Sequence, residues 1–411
     1  MLLEKSILIG NKTLGISGSK SISNRLLILK KLFENIIIDN ISNSEDTQFL
    51  EKALNSEAEI IDIHHAGTAM RFLASYYAIQ EGKTVVLTGS NRMKNRPVAF
   101  LVDALRELGA EISYMEKEGF PPLIITGKKL EKSSLTIPAN ISSQFISSLM
   151  LIGAKLDNGL EINLTGKITS RPYLEMTLKI LRSIGIQTQW EENTIRIGSD
   201  RQTEKNSQLI HFVVESDWSS ASYYYSLAAI SRDTINLKYF KPYSLQGDSA
   251  LREFYWKFFG VNTISEGAES RISLLPENFF TYPEKIKLDM NDCPDIAQTV
   301  CVTATAMKIP FEITGLATLK IKETDRLTAL KNELFKIGCI AEITEDSISS
   351  QKFFEPHDHI SIETYEDHRM AMSFAPFCLV KEIHIENAEV VGKSYPEFWS
   401  DFQQILEKSD S

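Results

Sequence analysis

Six segments of the chain share one composition: a short cluster of Gly, Ser, Thr, Asp or Pro, then a run of small and apolar residues. They are GSKSISNRLLIL from Gly18, AGTAMRFLASYYA from Ala66, SSQFISSLMLIGA from Ser142, SDWSSASYYYSLAAI from Ser216, PDIAQTVCVTATAM from Pro294 and EDHRMAMSFAPFCL from Glu366. Each predicts a helix opened by a capping residue and buried on most sides. Between them runs a more amphipathic set: EDTQFLEKAL, RPVAFLVDALRELGAEI, RPYLEMTLKILRSIGI, DSALREFYWKFFGVNT, KETDRLTALKNELFKIG and SYPEFWSDFQQILEK. Four of these end at Leu108-Gly109, Ile184-Gly185, Phe259-Gly260 and Ile337-Gly338, where glycine is the expected left-handed terminator, and a β-type run such as AEISY or VNTIS follows. A pattern recurring at a roughly constant period means repeated supersecondary units. The chain therefore reads as α/β, built from six similar units. The polar, strand-like stretch 186–214 is where the chain is expected to cross between halves. No Pro/Gly/Ser linker marks a boundary, which leaves room for a discontinuous domain layout.

The length of 411 residues suffices for two to three domains with full cores. Apolar residues at 43% and charged residues at 24% are ordinary for a globular enzyme and exclude a disordered chain, a collagen and a coiled coil. No apolar run approaches the ~18 residues of a membrane span. Met1 to Thr13 reads as strand, not as a charged-then-apolar leader, so the expected location is the cytoplasm. The charge sum, 44 − 54 = −10, argues against nucleic acid as a partner. It leaves anionic small molecules open, because they respond to local clusters of cations. The four cysteines form no CxxC pair and read as free thiols filling the core.

GSKSISNR sets a lysine and an arginine among small hydroxyl and glycine residues at a helix start. Backbone N–H groups, hydroxyls and cations there suit a phosphate or carboxylate, although an ordinary serine-capped helix carries the same residues. It is not a nucleotide P-loop, because Ser19 separates the glycine from the lysine. KETDR reads as the start of the fifth amphipathic helix. Lys322 and Arg326, four apart, share one helical face there, with Glu323 and Asp325 as acceptors in the first turn. A solvated, salt-bridged face is the alternative. In MNDCPD, Asp295 follows a proline at the start of an apolar segment, as an N-cap or as a working carboxylate. EDHRM packs two carboxylates, a histidine and Arg369 into another helix start. His357 and His359 raise a metal site, but the next carboxylate, Glu363, lies about 13 Å on along a strand, too far to share an ion. Arg369 reads as an anion binder.

In this order and spacing, GSKSISNR, AGTAMR, LTGSNRMKNRP, SSQF, SRPY, PD, KETDR, DHRMAM and GKSYPEF resemble the 5-enolpyruvylshikimate-3-phosphate synthases (3-phosphoshikimate 1-carboxyvinyltransferases) of the enolpyruvyl transferase family. The match runs almost end to end. The resemblance implies two similar domains, each of three copies of one α/β unit in an inside-out barrel. Their expected bounds are 1–18 with 215–411, and 19–214, with the active site in the cleft between them. It implies transfer of the enolpyruvyl group of phosphoenolpyruvate to the 5-hydroxyl of shikimate 3-phosphate, by addition and elimination through a tetrahedral intermediate. That is a step of the shikimate pathway to chorismate and the aromatic amino acids. No metal, organic cofactor, nucleic acid or membrane is implied, and the expected state is a monomer acting on two small molecules.

Residue by residue, the resemblance makes Asp295 the group that takes the hydroxyl proton, and Glu323 the carboxylate near the methylene carbon. Lys20 would assist proton transfer and touch both substrates, and Lys393 joins these three as a catalytic residue. Lys20, Ser21, Arg25, Ser142, Ser143, Gln144, Ser170, Tyr173, Asp295 and Lys322 would contact shikimate 3-phosphate. Lys20, Gly67, Arg96, Gln144, Arg326, Arg369 and Lys393 would contact phosphoenolpyruvate. Seven cations (Lys20, Arg25, Arg96, Lys322, Arg326, Arg369 and Lys393) would meet about five to six negative charges on the substrates. His65, Phe72 and Thr318 depart from the family's usual Asn or Asp, Pro and Asn, which bears on affinity and inhibitor response. The sister transferase acting on UDP-N-acetylglucosamine is the nearest alternative, but its loop cysteine has no counterpart in GSNRMKNRP. A nucleotide-dependent phosphotransferase and a catalytically dead scaffold on the same fold are the readings from other classes.

Overall fold

In the computed structural model, which describes residues 1–200, 209–266 and 270–409, every expected helix forms. In chain order they are α1 (Lys20–Leu32), α2 (Glu45–Leu54), α3 (Gly67–Ala78), α4 (Ala99–Glu107), α5 (Ser143–Gly153), α6 (Arg171–Ser183), α7 (Trp218–Ser231), α8 (Leu251–Phe259), α9 (Ala297–Ala306), α10 (Arg326–Lys336), α11 (His368–Phe374) and α12 (Phe398–Gln403). Odd numbers are the small-residue helices and even numbers the amphipathic ones. Gly109, Gly185, Gly260 and Gly338 end their helices at φ of 105°, 89°, 65° and 93°, a conformation that costs glycine little.

The chain divides into two compact units, Met1–Gly18 with Glu215–Ser411, and Ser19–Val214. Within the second, Ile60–Asp62 pairs in parallel with Thr84–Thr88, which is joined antiparallel by Leu123–Thr126 and then by Glu111–Tyr114. Ser134–Pro138, Leu160–Thr165, Thr194–Ile197 and Thr188–Glu191 repeat that order strand for strand. A parallel pair needs a crossover, and an odd helix supplies it; the even helix then leads into the antiparallel hairpin. The remaining copy pairs Ile36–Asp39 in parallel with Ile210–Val213, so its first strand comes from far along the chain. Of the stretch expected to cross between halves, residues 201–208 lie outside the described residues.

The discontinuous unit uses the same plan. Lys12–Gly15, Ile235–Lys238, Arg271–Pro276 and Val261–Glu266 form one such sheet. Ile286–Asp289, Phe311–Thr314, Ile348–Phe353 and Cys339–Ile343 form the next. In the last copy Ser361–Ile362 runs parallel to Ile383–Ile385. Its other two strands are completed by the start of the chain: Leu2–Leu3 pairs with Ile383 and His384, and Ser6–Leu8 with Leu406–Lys408.

The odd helices are buried because their small side chains let neighbouring helices approach, and their hydroxyls bond across the gap. Ser222 meets Thr299 at 3.0 Å, Thr299 meets Ser373 at 3.0 Å and Thr303 donates to Ser226 at 2.8 Å, tying α7, α9 and α11 together. In the other unit Ser75 donates to Ser148 at 2.9 Å between α3 and α5. All four cysteines are buried and free. Among the described residues no helix is long and apolar enough to cross a membrane.

Candidate active site

In the discontinuous unit, two repeats bring acids and cations together. Asp295 lies in the tight turn Pro294–Ile296 ahead of α9, and it is not that helix's N-cap, the bland reading of MNDCPD. Its Oδ1 accepts from Arg326 Nη1 at 3.0 Å and lies 3.3 Å from Lys322 Nζ; its Oδ2 lies 3.4 Å from Arg369 Nη2. Burial opposes ionisation of Asp295, but the charges of Lys322, Arg369 and Arg326 outweigh it and hold the carboxyl far below the usual range. Arg326, the first residue of α10, is 2% exposed. It also donates to Glu323 at 2.6 Å and to both oxygens of Asp367, at 2.7 and 3.3 Å. Burial works against its charge, and the three acids more than restore it. Lys393 donates to the other oxygen of Glu323 at 2.9 Å.

One local expectation needs correcting. Helix α10 begins only at Arg326, with Asp325 as its N-cap accepting from Thr328 N at 3.1 Å. Lys322 therefore precedes the helix and shares no helical face with Arg326. The two cations meet on Asp295 because the non-helical residues before the cap carry Lys322 there. Asp325 competes successfully for the helix start because an aspartate side chain satisfies an otherwise orphaned N–H.

The inserted unit holds the other set. Lys20, at the start of α1, lies 3.2 Å from Asp46 Oδ2. Arg25 is buried among neutral acceptors: Thr177 Oγ1 at 2.8 Å, Ser147 Oγ at 3.0 Å, and the carbonyls of Ser21 at 2.8 Å and Tyr173 at 3.2 Å. Burial lowers its pKa to about 10, with Tyr173 acting the other way. Phe72 lies beneath this guanidinium, 5.6 Å from ring centre to Arg25 Cζ. A Cβ on Gly67 would sit 2.5 Å from Arg96 Nη1 and 2.8 Å from Arg71 Nη1, so two guanidinium groups crowd the turn. Gln144 donates to Thr68 at 3.2 Å, linking the starts of α5 and α3. Ser170 precedes α6 in the left-handed region, φ 52°. His65 Nε2 lies 3.1 Å from Glu45.

The expectation that each odd helix opens on a capping side chain holds for three of the six. Ser142, Asp217 and Asp367 accept from Gln144, Ser220 and Arg369 N–H groups, whereas Ser19, Ala66 and Ile296 cap nothing with their side chains. The uncapped helices α1, α3 and α9 follow or carry Lys20, Gly67 and Asp295. Their first-turn N–H groups suit an anion. Sequence reading passed over Asp367, Asp46, Arg71, Ser219 and Asp248 as site residues. Asp367 stood inside a flagged motif, but its partner Arg326 lies 41 residues away. Among the described residues no group of three His, Cys, Asp or Glu side chains could hold a metal ion, and His357 packs edge-on against Phe335.

The family model described as EPSP synthase (3-phosphoshikimate 1-carboxyvinyltransferase) matches residues 42–402. A 3-phosphoshikimate 1-carboxyvinyltransferase of Bacteroides fragilis is 44% identical over 400 residues, covering 95% of this chain and 94% of that protein. One of Haemophilus influenzae is 32% identical, covering 97% of each. The EPSP synthase structure from Acinetobacter baumannii superposes with a TM-score of 0.70 at 22% identity over 98% of both chains. The enolpyruvyl transferase NikO from Streptomyces tendae gives 0.71 at 12% identity, covering 99% of this chain and 98% of that one. These two share the fold, inside-out α/β in two domains. Taken with the extent of the match, the chain belongs to the EPSP synthase (3-phosphoshikimate 1-carboxyvinyltransferase) family.

Proposed function

We propose that this protein transfers the enolpyruvyl group of phosphoenolpyruvate to the 5-hydroxyl of shikimate 3-phosphate, releasing phosphate, and that residues of both units serve this one reaction. The observation that carries the reading is the state of Asp295: a half-buried carboxylate ringed by Lys322, Arg326 and Arg369, which favour its ionised form. Such a group is a weak base while its cations face it. Phosphate and carboxylate groups of the substrates compete for those same cations. Once they engage Arg326, Arg369 and Lys322, Asp295 loses counter-charge and becomes a stronger base. The base is thereby switched on by the substrates it serves.

Asp295 then takes the 5-hydroxyl proton as the oxygen bonds to C2 of phosphoenolpyruvate. The methylene carbon gains a proton, for which Glu323 and Lys20 are the two donors, giving the tetrahedral intermediate. In the second stage the methyl group gives up a proton and the bond to phosphate breaks. Lys20, Ser21, Arg25, Ser142, Ser143, Gln144, Ser170, Tyr173 and Lys322 hold shikimate 3-phosphate. Gly67, Arg96, Gln144, Arg326, Arg369, Lys393 and Lys20 hold phosphoenolpyruvate. The reaction so read uses no metal or organic cofactor, and the enzyme works as a monomer in the cytoplasm. The test is phosphate release from phosphoenolpyruvate that depends on shikimate 3-phosphate. Release driven by UDP-N-acetylglucosamine instead, or none with either acceptor, overturns the reading.

A further inference from the structure

Arg369, on α11, is held from two sides. On one side Nη1 donates to the Asp295 carbonyl at 2.9 Å, and Nη2 lies 3.4 Å from Asp295 Oδ2. On the other side Nη2 donates to Ser219 Oγ at 3.3 Å. Ser219 is the second residue of α7, and its hydroxyl donates to Asp248 Oδ2 in the turn Gly247–Ala250 ahead of α8. A serine hydroxyl has one proton. Giving it to Asp248 leaves only lone pairs toward Arg369, so the direction of both bonds is fixed.

The placement matters because of what Asp295 does in the reaction. It gains a proton in one stage and loses its charge with it. An arginine anchored on Asp295 alone would lose its counter-charge at the moment the phosphoenolpyruvate moiety carries the most developing charge. The Ser219–Asp248 chain keeps an anion behind Arg369 throughout. Asp248 is nearly fully buried. Burial and then the charge of Asp295 push its pKa up to about 6, with Asp217 adding to the rise; Arg369 and the Ser219 hydroxyl oppose it, and Cys293 is a further titratable neighbour. A carboxylate kept in such a costly place is held there by the cation it faces.

We propose that Ser219 and Asp248 are positioning residues that aim Arg369 at the anionic groups of phosphoenolpyruvate, a role that rests on the function proposed above. The experiment compares Ser219→Ala, Asp248→Asn, the double variant and Ser219→Thr with the parent, by steady-state kinetics in both substrates. Ser219→Ala and Asp248→Asn should raise KM for phosphoenolpyruvate ~10-fold, the scale of one hydrogen bond to a charged group. KM for shikimate 3-phosphate and kcat should stay within about twofold. The double variant should be no worse than Ser219→Ala, because both act through one chain. Ser219→Thr, which keeps the hydroxyl, should restore the parental KM. If Asp248→Asn does not fold, the Ala and Thr variants of Ser219 decide the matter alone. Parental turnover with an unmoved KM for phosphoenolpyruvate, or an equal rise in both KM values, overturns the positioning role and leaves the transferase reading standing. A parent without transferase turnover overturns both.

Discussion

Replacing Arg326 by glutamine should destabilise the protein in a way that depends on pH. The guanidinium is the common partner of Asp367, Asp295 and Glu323. After its removal Asp295 still has Lys322 and Arg369, and Glu323 still has Lys393. Asp367, fully buried, keeps the Arg369 backbone N–H at 2.9 Å and the His368 Nδ1 at 3.6 Å but loses both guanidinium bonds. Breaking a buried pair from one side costs about 3–5 kcal/mol, because the remaining charge is stranded. That is the deficit expected at pH 7. In the parent, Asp295 has a depressed folded pKa. Its contribution is therefore present above the unfolded value of about 3.9 and is lost only as the pH falls below it. The variant lacks one of the three cations that depress Asp295, so its share is smaller, and the deficit should hold between pH 7 and pH 5 and narrow only below about pH 4. Urea unfolding followed by tryptophan fluorescence, with m-values compared, measures both ends. Trp218 is a buried reporter in the same unit. A deficit under about 1 kcal/mol at pH 7 would refute the reasoning, given the cost of a stranded charge. So would a deficit that has already narrowed at pH 5. The double variant Arg326→Met with Asp367→Leu should recover much of the loss, since no charge is then left behind.

Asp295→Asn should lower turnover by about 10² to 10⁴-fold, as for the loss of a general base. Both substrates should bind as well or better, since Lys322, Arg326 and Arg369 are left short of counter-charge; near-parental turnover would return Asp295 to a purely structural role. Gly67→Ala should raise KM for phosphoenolpyruvate by more than about tenfold, or ~1.4 kcal/mol, because the new Cβ must push aside Arg96 and Arg71. The melting temperature should barely move, since the displaced atoms are the far ends of flexible side chains; an unchanged KM would show that the two arginines do not work as read.

What could be read from the sequence was whatever local patterning determines. The two helix classes and the four glycine terminators are short-range signals, and all formed where expected. Asp295, Arg326 and Arg369 also meet, because each lies at or just before a helix start on the same repeated plan. What escaped reading depends on distant partners. Asp295 resembles an N-cap until Lys322, Arg326 and Arg369 are seen around it. Lys322 looked helical by spacing alone, and only the capping bond of Asp325 shows that it is not. Ser219 and Asp248 carry no local signal, being 29 residues apart and joined only through the packing of α7 against the turn before α8. Periodicity records which side chains are buried, and it is silent on which of two acids a buried arginine will choose.

The borrowed strands of the last repeat set a timetable for the ribosome. Residues 19–214 are contiguous and contain both partners of each of their sheets, so that unit can fold as soon as it emerges. Leu2–Leu3 and Ser6–Leu8 leave the tunnel long before their partners, Ile383, His384 and Leu406–Lys408. At about 5–20 residues per second, those two nascent strands wait on the order of 20–80 s, unpaired edges exposed. They are short, and Lys5 and Glu4 sit between them. Charged residues at that spot keep a waiting edge from recruiting the wrong neighbour, so these two early strands serve as the clasp that closes the discontinuous unit last.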